Sequence, residues 1–202
     1  MSTMRTPFVA VLLGLLAAGL APQAATAATA TTTTSPNIIP VNNGITKFTI
    51  GKRHMLAVRA WRENFNAHSF DVVTFYEAGK TMNIVPRFIK DKDHENEEFN
   101  LTVGGGADCL LHDFRLVKAA GKQPARLVIA ERDLGESYAG TETVHFTWYD
   151  LVDIDPDEDS VGKPALYFEA KKKTASRHKY CDVNQAFDKE LHLGASGKTD
   201  GE

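Results

Sequence analysis

Alternating apolar and polar residues recur along most of the chain, the period of a half-buried β-strand. In 54–62, Leu56, Val58 and Ala60 fall on one face and Met55, Ala57, Arg59 and Trp61 on the other, so the segment reads as a central strand. Segment 70–77 continues the pattern, with Val73 and Phe75 opposite Val72, Thr74 and Tyr76. A first strand, 45–50, follows the turn signal Asn43-Gly44. Segment 83–89 is interrupted by Pro86, which favours an edge position. The charged run 91–98 reads as a solvated excursion and 99–103 as a short strand. Beyond Gly104-Gly105-Gly106, segment 107–118 directs Leu110, Phe114 and Leu116 to the core. Segment 125–131 follows. Segment 143–154 then sets Val144, Phe146 and Trp148 against His145, Thr147 and Tyr149. Segment 165–170 is the last strand, before the basic patch Lys171-Lys172-Lys173. The period then becomes helical, through Val183, Ala186, Phe187, Glu190 and Leu191. Asp182 with Gln185 resembles a capping box and Gly194 is a stop signal. Many short strands followed by one helix predict a mainly β fold, an antiparallel β-sandwich with a C-terminal α-helix.

The N-terminus stands apart from this pattern. Arg5 precedes an apolar run, 8–20, and Ala25-Thr26-Ala27 offers a small-residue cleavage site, so 1–27 reads as a secretory signal peptide. The run is shorter than the roughly 18–20 apolar residues that span a bilayer, and no later stretch is long enough. Low-complexity Thr/Ala composition makes 28–44 a flexible leader. A single β-rich domain is expected over 45–194, with a disordered tail at 195–202. Without 1–27 the chain keeps 22 basic and 26 acidic residues, a net charge of −4 that argues against a nucleic-acid partner. Export implies an oxidising compartment, in which Cys109 and Cys181, the two cysteines of the chain, pair most simply with each other. Two buried free thiols are the alternative.

Several chemical motifs are incomplete. Ser160-Val161-Gly162-Lys163 matches S-x-x-K but sits in a Gly/Pro loop without S-D-N or K-T-G partners. Gly197-Lys198-Thr199 lacks the upstream glycine of a phosphate loop, position 192 being His192. Asp153, Asp155, Asp157 and Asp159 alternate as in a calcium loop, but Glu158 and Pro164 replace its glycine and its bidentate glutamate. The histidines show neither H-x-H nor H-E-x-x-H spacing. His112, Asp113, His145, Glu131 and Asp133 could meet only through strand pairing. The expectation is therefore a protein with no catalytic residues, no metal site and no cofactor.

The densest set of hydrogen-bonding side chains is the elbow 63–69, between the strands 54–62 and 70–77. Asn and His in such a loop can fix their own turn. As a recognition loop, the same stretch offers Trp61 as an aromatic anchor, Arg62 as a carboxylate partner, and Asn64, Asn66 and His68 as polar contacts. The run Arg132-Asp133-Leu134-Gly135-Glu136-Ser137-Tyr138 is a second candidate binding surface.

Four blocks, 62–75 (RENFNAHSFDVVTF), 106–114 (GADCLLHDF), 134–138 (LGESY) and 180–191 (YCDVNQAFDKEL), resemble the carbapenem self-resistance (CarG-like) family of periplasmic proteins. The resemblance implies an exported, β-rich, homodimeric protein that protects its cell from a carbapenem without destroying it. It carries no assignment of ligand residues. Its partner would be the carbapenem itself or a periplasmic protein, and the alternative function is a periplasmic protein–protein module such as an inhibitor or immunity protein.

Overall fold

The computed structural model describes residues 37–91, 94–105, 108–154 and 162–194. The expected signal peptide 1–27, residues 28–36 of the leader, the acidic loop 155–161 with Ser160, and the tail 195–202 lie outside the described residues. The strands are β1 (Ile38–Ile39), β2 (Gly44–Ile50), β3 (Arg53–Arg62), β4 (Phe70–Ala78), β5 (Met82–Ile84) and β6 (Arg87–Asp91). They continue as β7 (His94–Glu98), β8 (Leu101–Gly104), β9 (His112–Val117), β10 (Arg126–Arg132), β11 (Glu142–Asp153) and β12 (Leu166–Tyr180). One α-helical turn, α1 (Val183–Ala186), continues as a π-helical turn, Phe187–Leu191.

Hydrogen bonding joins the strands into one path, β2-β3-β4-β8-β9-β10-β11-β12-β6-β7, with β1 on β9 and β5 on β4. The sheet is mixed. All pairings are antiparallel except β12 with β6, where Phe168 lies opposite Arg87. The expected strand-rich fold with a terminal helix is present. In place of two antiparallel sheets, however, there is one continuous sheet that does not close by strand pairing. It curls: four strands lie between β4, which carries Phe75, and β12, which carries Phe168, yet the two rings lie 5.5 Å from each other. The connection between β5 and β6 links β4 to β12, with Val85 N–H donating to Phe75 O and Phe168 N–H to Pro86 O, both at 2.9 Å. Pro86 thus lies between two short strands, where its missing N–H costs no ladder bond.

The curl encloses the main core, in which Met55, Val73, Phe75, Phe114, Leu116, Leu127, Tyr149 and Phe168 are buried. On the reverse face of β10 and β11, Val128, Ala130, Val144 and Phe146 pack beneath Val183, Ala186 and Phe187 of the terminal helix. Strands β9 to β11 are therefore covered on both sides. Asp182 caps α1 by accepting from Asn184 N–H at 2.6 Å, and His192, in the left-handed conformation, ends the helical segment ahead of Gly194. Arg115 fastens this segment. Its Nη2 donates to Asn184 at 2.6 Å, its Nε to Leu193 O at 2.9 Å, and its guanidinium lies 4.1 Å from the Phe187 ring centre. Cys109 and Cys181 form a disulfide.

Several segments differ from the sequence reading: 83–89 is divided between β5 and β6, and of 107–118 only His112–Val117 is a strand. Ile38, Ile39 and Val41, within the expected leader, are buried, and Ile38 pairs with Val117. The charged excursion is in part a strand, β7, with every residue exposed at the sheet margin, where charge discourages pairing with another chain. Strand β12 runs through Lys171-Lys172-Lys173 to Tyr180, following β11 past two register shifts.

Candidate functional site

The elbow grows out of the β3–β4 hairpin, whose last register pair is Arg62 with Phe70. At its root lies a buried ion pair. Arg59 Nε and Nη2 donate to Asp71 Oδ2 at 2.8 and 2.6 Å, and Nη1 donates to Val41 O at 3.2 Å. Above this pair the Glu63 carboxylate gathers the loop, accepting from Ser69 Oγ and Phe65 N–H, both at 2.7 Å, and from Trp61 Nε1 at 3.2 Å. These bonds, Ser69 first, hold the Glu63 carboxyl below its ordinary value. Asn64 Nδ2 donates to His68 O, and Asn66 Oδ1 accepts from His68 N–H, each at 2.8 Å. The candidate set thus divides. Asn64 and Asn66 fix the turn with their side-chain amides, whereas Trp61, Arg62 and His68 are exposed. Sequence reasoning passed over Phe65, which the loop holds at φ 56° with 95% of its surface exposed. A bulky side chain in that conformation is unusual, and the Glu63 bond to its amide helps to hold it there.

The second candidate loop is organised from below by buried Arg132. Its Nη1 donates to Gly140 O and, at 3.4 Å, to Cys181 O, and its Nη2 donates to Ser137 O at 3.3 Å. Gly135 has φ +60°, a conformation that favours glycine, and a Cβ there would lie 2.6 Å from Glu142 Oε1 and displace that side chain. Leu134 and Tyr138 are left exposed. The structure brings the two loops together: the His68 and Tyr138 rings are 5.4 Å apart.

No protein-family model and no curated protein matches the chain. Among solved structures, the crystal structure of CarG aligns over 77% of this chain and 98% of its own, with a TM-score of 0.58 at 22% identity. The two share a fold.

Strand pairing also builds a concavity that no linear motif announces. His112, Glu131 and His145 stand abreast on β9, β10 and β11, while Asp113 lies on the reverse face beside Arg115. His145 turns to Asp133, its Nε2 3.1 Å from Oδ1, and His112 lines a cavity of about 510 Å³ with Glu131, Thr147, Tyr149, Lys173 and Arg87. Burial, aided by Arg132 and opposed by Glu131, lowers the His112 pKa below its ordinary 6.5. Burial likewise raises that of Tyr149. Alternation in β11 does place Thr147 and Tyr149 on one face. The opposing wall comes from β6 and β8, whose positions depend on long-range pairing. Among the described residues, no group of three or more His, Cys, Asp or Glu is placed to hold a metal, and no helix is long and apolar enough to cross a membrane.

Proposed function

We propose that this chain is an exported, non-enzymatic, homodimeric protein that makes its cell tolerant of a carbapenem, by binding the drug or by shielding its cell-wall target. One spatial observation supports the reading, alongside the fold shared with CarG. The four blocks that resemble the self-resistance family are scattered in sequence but contiguous in space. Block 62–75 meets 134–138 through His68 and Tyr138. Arg132, at the root of 134–138, reaches Cys181 O of block 180–191. The disulfide ties that block to Cys109 of 106–114. Gly104 pairs with both Phe70 and His112, which returns the chain of contacts to its start.

The surface over these blocks presents Trp61, Phe65, Leu134 and Tyr138, beside Arg62, to solvent. Exposed aromatics beside an arginine suit a protein partner as well as a bicyclic drug, and this favours target shielding or an inhibitor-like module as the second reading. The test is carbapenem susceptibility of a sensitive Gram-negative host exporting the chain, with residual drug assayed in the same culture. Protection with intact drug is the expected result. Protection with loss of drug would show an enzyme, and absence of protection would leave the partner-binding module in first place.

A further inference from the structure

The cavity lined by residues of β6 to β12 has a charge pattern of its own. At about 510 Å³ it falls within the range of small-molecule sites. Arg87 is buried there and already paired, its Nη2 lying 2.6 Å from both Glu98 Oε2 and Asn100 O. Its guanidinium lies 5.5 Å from the centre of the Tyr149 ring. Two opposite charges remain. Lys173 and Glu131 both line the cavity and are exposed, and neither side chain has a hydrogen-bond or ion-pair partner among the described residues. Thr147 pairs with Lys173 on one side and with Ile129 on the other, and Glu131 lies two residues beyond Ile129. Strand spacing and rise therefore put the Lys173 and Glu131 Cα atoms roughly 12 Å apart, with the cavity between them. Glu131 opposes a simple anion, and Lys173 a simple cation. A ligand carrying both charges meets each with its complement.

We propose that this cavity binds a small zwitterion, its carboxylate held by Lys173 beside the Arg87 and Thr147 wall and its ammonium or amidinium held by Glu131. Free peptides and carbapenems with a basic side chain share that chemistry. The inference does not depend on the tolerance reading, because it concerns a different surface and is tested on purified protein without cells. Calorimetric titration of the full chain with alanyl-alanine, its N-acetyl derivative, its C-terminal amide and a carbapenem bearing a basic side chain separates the sources. Saturable binding of the free dipeptide or of the carbapenem is expected, with each blocked dipeptide roughly tenfold weaker or worse, as loss of a charge-assisted bond implies. Lys173→Met should erase discrimination between free acid and amide, and Glu131→Gln that between free amine and acetyl, with thermal stability unchanged at these exposed positions. Absence of saturable binding by both zwitterions, or discrimination that survives both substitutions, would overturn the proposal.

Discussion

Replacing Arg59 with methionine isolates the ion pair on which the elbow stands. Arg59 and Asp71 each expose 1% of their side chains, and the pair is joined by the two short N–H···O bonds from Nε and Nη2. Methionine has similar length and no charge, so the packing volume is largely kept while the Asp71 carboxylate stays buried without its cation. Breaking a buried pair from one side costs about 3–5 kcal/mol, mostly the penalty of the stranded charge. For a domain of this size that corresponds to a fall in Tm of roughly 10 °C. Urea unfolding followed by fluorescence should show a lower midpoint at unchanged slope. The double variant Arg59→Met/Asp71→Leu, which removes both charges, should regain most of the loss. A single-variant cost under about 1 kcal/mol would refute the reasoning. So would a double variant as unstable as the sum of the two single substitutions.

Removing the disulfide by Cys109→Ser with Cys181→Ser opens a loop spanning 72 residues, and chain entropy predicts a loss of about 4 kcal/mol, read by the same unfolding assay. Ser69→Ala deletes the hydroxyl that accepts from Asn64 N–H at 2.9 Å and donates to Glu63. Amide exchange at Asn64 and Phe65 should quicken and the Glu63 pKa should rise towards 4.5, while global stability falls by no more than about 1 kcal/mol. His112 has a folded pKa below 6.5, so its contribution to stability is full above pH 6.5 and is lost as pH falls through the folded value. NMR titration should place the folded value below 6.5, and His112→Gln should flatten that part of the pH–stability profile.

Alternation made the central strands legible. The expected segments 54–62, 70–77 and 143–154 differ from β3, β4 and β11 by about a residue at either end, and the Val144/Phe146 face is the one the helix covers. Edge strands escaped the same test. His94–Glu98 carries no apolar stripe because it borders the sheet and buries nothing. The long β12 was concealed by its three lysines, which are tolerated because that part of the strand is exposed. The parallel β12–β6 junction was not foreseen, since local sequence does not specify which distant strands meet. The elbow was visible as a cluster of polar side chains. That Asn64 and Asn66 bond within it and that Tyr138 stands beside His68 depends on the folded loop and on contacts distant in sequence.

The attachment of the helical segment to β9 bears on the order in which the protein can mature. Synthesis runs from the N-terminus, so β9 to β11 are made well before their outer cover. Until residues 181–193 emerge, Val128, Val144 and Phe146 lack the Phe187 side of their packing, Arg115 lacks Asn184 and Leu193, and the Cys109 thiol lacks Cys181. A chain ending at residue 180 would present an oily patch, a guanidinium left with Asp113 but without Asn184 and Leu193, and a reactive sulfur. Packing of both faces of β9 to β11 is therefore complete only once residues 181–193 have been made.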